Sequence, residues 1–292
     1  MENEVKEMKK IVCIIIAIIL LAILPAGCSS FYNDREARLS SFLKESKVDT
    51  TISDDISVDG LELDELEIVN GVGEIRVSKG AGKNIEVHYD KRIKYISGDA
   101  EKVSDTILVD TKVKGSKLIV EVRSADSKIQ DLWQWLSEKF RGINVSVDLD
   151  IKVPENVRVF EVNNGVGDIN IADIKGSIKV NSGVGDVSLS DVTLYDDCTI
   201  NNGTGDIYID ASADDLSKLR ALAGVGDVRI VLPEDTKLSI KADTGVGNIE
   251  GSLIDRIDKE GFVSDSLKQD INGGGPVAKI DTGTGNIRID KR

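Results

Sequence analysis

Hydrophobic positions along this chain fall into two regimes. Between Ile11 and Leu24 they are unbroken. From about Ile56 onward they alternate with polar residues in short runs, the period-two pattern of strands with one buried face. The alternation is punctuated by a recurring Gly-x-Gly followed by an acid or Asn, whose first Gly stands at 71, 165, 183, 203, 224, 245 and 283. From 165 onward the intervals are 18, 20, 21, 21 and 38, so the period is near twenty and the last gap reads as about two periods, one of them unmarked.

Alignment on the first Gly exposes columns. Four and six residues after it stand Ile75/Val77, Ile169/Ile171, Val187/Leu189, Ile207/Ile209, Val228/Ile230, Ile249/Gly251 and Ile287/Ile289, branched aliphatic at 13 of 14 places. Five and three residues before it the chain is again apolar, from Leu66/Ile68 to Ala278/Ile280. Each period is therefore a strand, a Gly-x-Gly turn and a strand. One such unit cannot bury its own apolar face, whereas stacked copies can. The expected fold is all-β, a parallel β-helix or β-solenoid with coils of about 20 residues, stacked at about 4.8 Å into a rod about 30–35 Å long. The expected hand is right, as for parallel crossovers in general.

Between the first and second glycine pairs the pattern is less regular. Strands are predicted at Asn84–Tyr89, Thr106–Val113, Lys117–Arg123 and Asn144–Val153. An amphipathic helix is predicted from Asp126 to Arg141, with Ile129, Leu132, Trp133, Leu136 and Phe140 on one face and Asp126 or Ser124 as N-cap. Its polar face mixes both signs of charge, which favours capping the solenoid end over lying on anionic lipid. Trp135 falls off that stripe and is the expected exposed contact residue. A second helix is expected at Asp34–Lys44, and Leu253 to Gly275 reads as a loop excursion.

The uninterrupted run at the N-terminus has the layout of an export signal: Lys9-Lys10, fourteen apolar residues, then Leu24-Pro25-Ala26-Gly27-Cys28. That last run resembles the lipobox of bacterial lipoproteins, which implies cleavage before Cys28 and lipidation of its thiol. Pro25 stands where the pattern usually has Leu; without cleavage the same segment becomes an uncleaved transmembrane anchor. The acidic start Met1–Glu7 is foreign to a signal, and Met8 is the expected translation start. The expected organisation is thus a signal peptide over 1–27, a lipid-anchor spacer over 28–47 and the solenoid over 48–292. Cys13 is signal-peptide filler.

Composition narrows the partners. With 37 Lys+Arg against 51 Asp+Glu the formal charge is −14, which argues against nucleic acid. With Cys28 lipidated, only Cys198 remains, in an apolar column, so it is expected in the core and no disulfide can form within the domain. His88 is the sole histidine and is expected to be an exposed strand residue, leaving no His-based triad or metal centre. In a solenoid, Asp168, Asp186, Asp206 and Asp227 form a column along the stack. Either they bridge a cation, calcium being the candidate, or they close their own turns by bonding the backbone, a task Asn performs equally well in sister coils.

The run Asn163-Asn164-Gly165-Val166-Gly167-Asp168-Ile169-Asn170-Ile171, with Val145–Pro154 ahead of it, resembles the bacterial putative-adhesin β-strand-repeat family, a domain of unknown function, over Ile56 to Arg292. The resemblance implies a β-helical surface domain, in some relatives associated with envelope stress, and carries over no catalytic residue. The expectation is a non-enzymatic adhesin-like or envelope-stress binding and scaffold module. It would sit on the extracytoplasmic face of the bacterial membrane, held by a lipid and touching a cell-wall polymer or an envelope protein. The alternative is a carbohydrate-active enzyme, a polysaccharide lyase or hydrolase, on a β-helix scaffold.

Overall fold

The computed structural model describes residues 48–95, 100–129, 131–139, 143–255 and 265–292. The export segment with Cys28, the spacer and the helix expected at Asp34–Lys44 lie outside the described residues. Among those described, no helix is long and apolar enough to cross a membrane.

In chain order the elements are β1 (Val48–Asp59), β2 (Glu65–Val72), β3 (Ile75–Lys79), β4 (Asn84–Tyr95), α1 (Ala100–Ser104), β5 (Ile107–Lys114), β6 (Lys117–Ser124), α2 (Leu132–Lys139) and β7 (Ile143–Val153). Then come β8 (Val159–Val166), β9 (Ile169–Ala172), β10 (Lys175–Val184), β11 (Val187–Thr204), β12 (Ile207–Val225) and β13 (Val228–Leu232). The chain closes with β14 (Leu238–Val246), β15 (Ile249–Glu250), β16 (Asp265–Ile271), β17 (Val277–Thr284) and β18 (Ile287–Lys291).

Parallel pairing winds these strands into the expected solenoid. Ile169 pairs in register with Val187, Val187 with Ile207, and Ile207 with Val228. The column before each turn stacks likewise, Leu66 on Phe160 and Phe160 on Ile178. All of these side chains are at most 1% exposed, so the alternation in sequence becomes one continuous apolar interior.

The turns set how closely the coils can approach. At the second Gly of a pair the backbone takes a positive φ, +128° at Gly205, and a Cβ there would stand 2.2 Å from the carbonyl oxygen of Gly185 in the neighbouring coil. Neither the conformation nor the space admits a side chain. The residue before each first Gly points inward. Asn164 Nδ2 donates to the Gly73 carbonyl at 2.9 Å, Asn202 Nδ2 to that of Gly185 at 2.9 Å, and Thr282 Oγ1 to that of Gly226 at 2.8 Å, so these buried polar groups tie coil to coil.

Coil order departs from sequence order at both ends. The coil of Gly71 stacks directly on that of Gly165, with β6 and β7 laid outside it in parallel. At the other end, β17 pairs with both β12 and β14, and β18 with both β13 and β15. The coil of Gly283 is therefore inserted between those of Gly224 and Gly245. The interval of 38 is not two windings, and the unmarked coil is replaced by an excursion and a return. The excursion itself is partly strand, because β16 pairs antiparallel with β14. At the opposite end β4 runs antiparallel to β7, β5 to β6, and β1 to β4.

The helix is shorter than expected. Asp131, not Asp126 or Ser124, caps α2, its Oδ1 accepting the amide of Gln134 at 2.9 Å. Asp126 Oδ1 instead accepts the amide of Lys128 in the preceding turn. Leu132 and Leu136 enter the core, and Trp133 lies so close over Gly71 that a Cβ there would meet its indole nitrogen at 1.6 Å. The helix thus covers the turn of the Gly71 coil.

A groove with paired arginines on the outer face

In each coil the fifth residue after the first Gly follows an inward Ile or Val and so faces out. Register places Tyr208 beside Arg229, Arg229 beside Arg288, and Arg288 beside Glu250. In sequence Glu250 separates the two arginines; insertion of the last coil makes them neighbours. Together with the ladder residues Asp206, Asp227, Asn286 and Asn248 they line a shallow groove of about 460 Å³.

Asp290, two residues beyond Arg288 and 7% exposed, organises the pair. Its Oδ2 accepts from Arg288 Nε at 2.8 Å and lies 3.2 Å from Arg229 Nη2, while its Oδ1 accepts from the Ser252 amide at 3.2 Å. Burial alone would raise the Asp290 carboxyl. The hydrogen bond from Arg288, the Ser252 amide and the two guanidinium charges outweigh it and hold the group below the usual carboxylate range. Arg288 Nη1 also pairs with Glu250 at 3.3 Å. Both guanidinium groups remain about half exposed (53%), oriented but open to solvent. The sequence displays both arginines in the outward column, but only the coil order brings them together.

The Asp column, read as either a calcium site or a closure of its own turns, uses its carboxylate oxygens between coils. Asp168 Oδ1 accepts the amide of Asp186 at 2.9 Å, Asp186 Oδ1 that of Asp206 at 2.8 Å, and Asp206 Oδ1 that of Asp227 at 2.8 Å. The bond runs to the next coil, not to the residue's own turn. Asn286 continues the series, its Oδ1 accepting the Asn248 amide at 3.0 Å. The four Asp are a column and not a cluster, and among the described residues no group of three or more His, Cys, Asp or Glu gathers where a metal ion could be held.

Trp135, expected to be exposed, is half-buried and packs against the core. Cys198 is 1% exposed and burial pushes its thiol up to about 11, an inert core residue. His88 is exposed as expected, with Nδ1 2.8 Å from Asp55 Oδ1. It lines a second open groove of about 540 Å³ with Asp55, Ser57, Asp150 and Lys152.

Similar structures include a putative cell adhesion protein of Clostridium sporogenes, 17% identical with a TM-score of 0.47 over 84% of this chain and 100% of that one. They also include a putative adhesin of Bacteroides fragilis, 16% identical with a TM-score of 0.31 over 85% and 99%. A third is a putative lipid binding protein of Parabacteroides distasonis, 11% identical with a TM-score of 0.23 over 83% and 97%. No curated protein matches. The glycine pairs from Gly165 onward fall within residues 88–290, which match the Toastrack DUF4097 family over more than half of the chain, and the chain belongs to that family.

Proposed function

We propose that this protein is a non-enzymatic, adhesin-like binding and scaffold module of the cell envelope, displayed on the extracytoplasmic face of the membrane by a lipid on Cys28. The observation that carries the binding role is the groove at Tyr208, Arg229 and Arg288, where a buried carboxylate holds two half-exposed guanidinium groups in place. Preorganised polar groups on a rigid lateral face lower the cost of ordering a ligand. The basic, apolar and small-residue layout of residues 9–28 supports export and anchoring.

Two measurements test this. Cells expressing the full chain should incorporate radiolabelled palmitate into it, and Cys28→Ala should abolish the label; a labelled C28A protein overturns the anchor. Incubation of the protein with isolated envelope polymers should give retention without new reducing ends or unsaturated sugars. Release of such products would establish the carbohydrate-active alternative instead.

A further inference from the structure

We infer that the groove takes a neutral polyhydroxylated ligand, one or two rings of an uncharged glycan. This rests on the reading of the groove as a binding site and adds the ligand class. The charge count decides against the alternatives. Arg229 and Arg288 are balanced by Asp290 and Glu250, both ion-paired to them, and the rim carries the further carboxylates of Asp206 and Asp227. A polyanion would meet two cations already engaged and two carboxylates facing it. A cationic ligand would meet the guanidinium pair.

Sugar hydroxyls need the opposite of a strong net charge: donors and acceptors close together, since each hydroxyl both gives and receives a hydrogen bond. The groove supplies them. Each guanidinium has five N–H donors, of which Asp290 and Glu250 engage one on Arg229 and two on Arg288. Glu250 and the rim carboxylates provide acceptors. Planar guanidinium and carboxylate groups suit two-point contacts to adjacent oxygens. Tyr208 adds what a purely polar site lacks, a ring face for C–H groups with a hydroxyl at its edge. It is the one aromatic in the outward column Arg76, Asn170, Ser188, Tyr208, Arg229, Arg288 and Glu250. The volume of about 460 Å³ lies within the range of small-ligand sites.

The test is retention of the full-length protein, in a detergent without a sugar headgroup, on immobilised neutral oligosaccharides (cello-, malto- and chito-oligomers) and on polygalacturonate and polyglycerol phosphate. At least one neutral series should bind. Tyr208→Ala and Arg229→Ala should each weaken it at least tenfold, with Tyr208→Phe retaining most of the affinity, and Y208A should melt within a few degrees of wild type. Binding of the anionic polymers alone overturns the glycan assignment and leaves the binding-module reading standing. Neutral binding untouched by Y208A overturns the site. Retention by neither class overturns both readings together.

Discussion

If close stacking of the Gly-x-Gly turns holds the coils together, a methyl group at the second Gly should cost far more than the same change at an unstacked turn. Gly205 has φ +128° and a Cβ there would lie 2.2 Å from Gly185 O, against ordinary contact from 3.4 Å, so the coils must part locally by 3.4 − 2.2 = 1.2 Å. The backbone conformation alone penalises Ala by about 1–3 kcal/mol. Separation also loosens the Gly185-to-Thr204 and Val187-to-Asp206 hydrogen bonds, both 2.9 Å, and the Asp206 amide bond to Asp186 at 2.8 Å. Each is worth about 1 kcal/mol. Gly205→Ala should therefore destabilise by about 4–6 kcal/mol, a large share of the ~5–15 kcal/mol typical of a domain. Gly115 also has a positive φ, +63°, but a Cβ there meets nothing within 4 Å. Gly115→Ala should cost only about 1 kcal/mol, the left-handed penalty by itself. Urea unfolding of both variants at matched slope reads the difference. A gap under about 1 kcal/mol would refute the claim that turn stacking sets the coil spacing.

Further outcomes follow from the same geometry. Asp206→Asn keeps the Oδ1 acceptor for the Asp227 amide and should stay within about 0.5 kcal/mol of wild type, whereas Asp206→Ala should cost about 1–2 kcal/mol by urea titration. Because the column gathers no multidentate site, millimolar calcium should leave the melting temperature unmoved; a clear rise would restore the cation reading. His88 should titrate above the ordinary histidine value by NMR, because Asp55 hydrogen-bonds its ring. With the folded value above the unfolded one, its small contribution is complete below the unfolded pKa and is lost as pH rises through the folded pKa; Asp55→Asn should bring the titration back down. Cys198 should resist a thiol reagent in the native protein and react only on unfolding. For coil order, cysteines replacing exposed Val225 and Thr284 should be joined by a short bifunctional thiol reagent, while the Val225/Val246 pair should not; the reverse result would restore sequential winding.

How the coils are built was legible because one coil's needs are written into each period: aliphatics at fixed offsets, glycine where the chain turns, small polar residues in the turn. The order of the coils was not, because every coil offers its neighbours the same columns, and a repeat cannot tell which copy it will meet. The irregularity that resolves this degeneracy was nonetheless present. Gly251 is the one break in the aliphatic columns, and with φ +151° it ends β15 after Ile249 and Glu250. A coil with so short a second strand can satisfy one neighbour but not two, so it belongs at an end. The coil of Gly283 continues for five residues, Ile287–Lys291, and can pair on both sides. An excursion past the short coil and a return beneath it thus buries the longer strand fully and leaves the shorter one outermost. The same step sets Arg288 against Arg229 and positions buried Asp290 to hold both, so the groove exists only because the chain winds out of order.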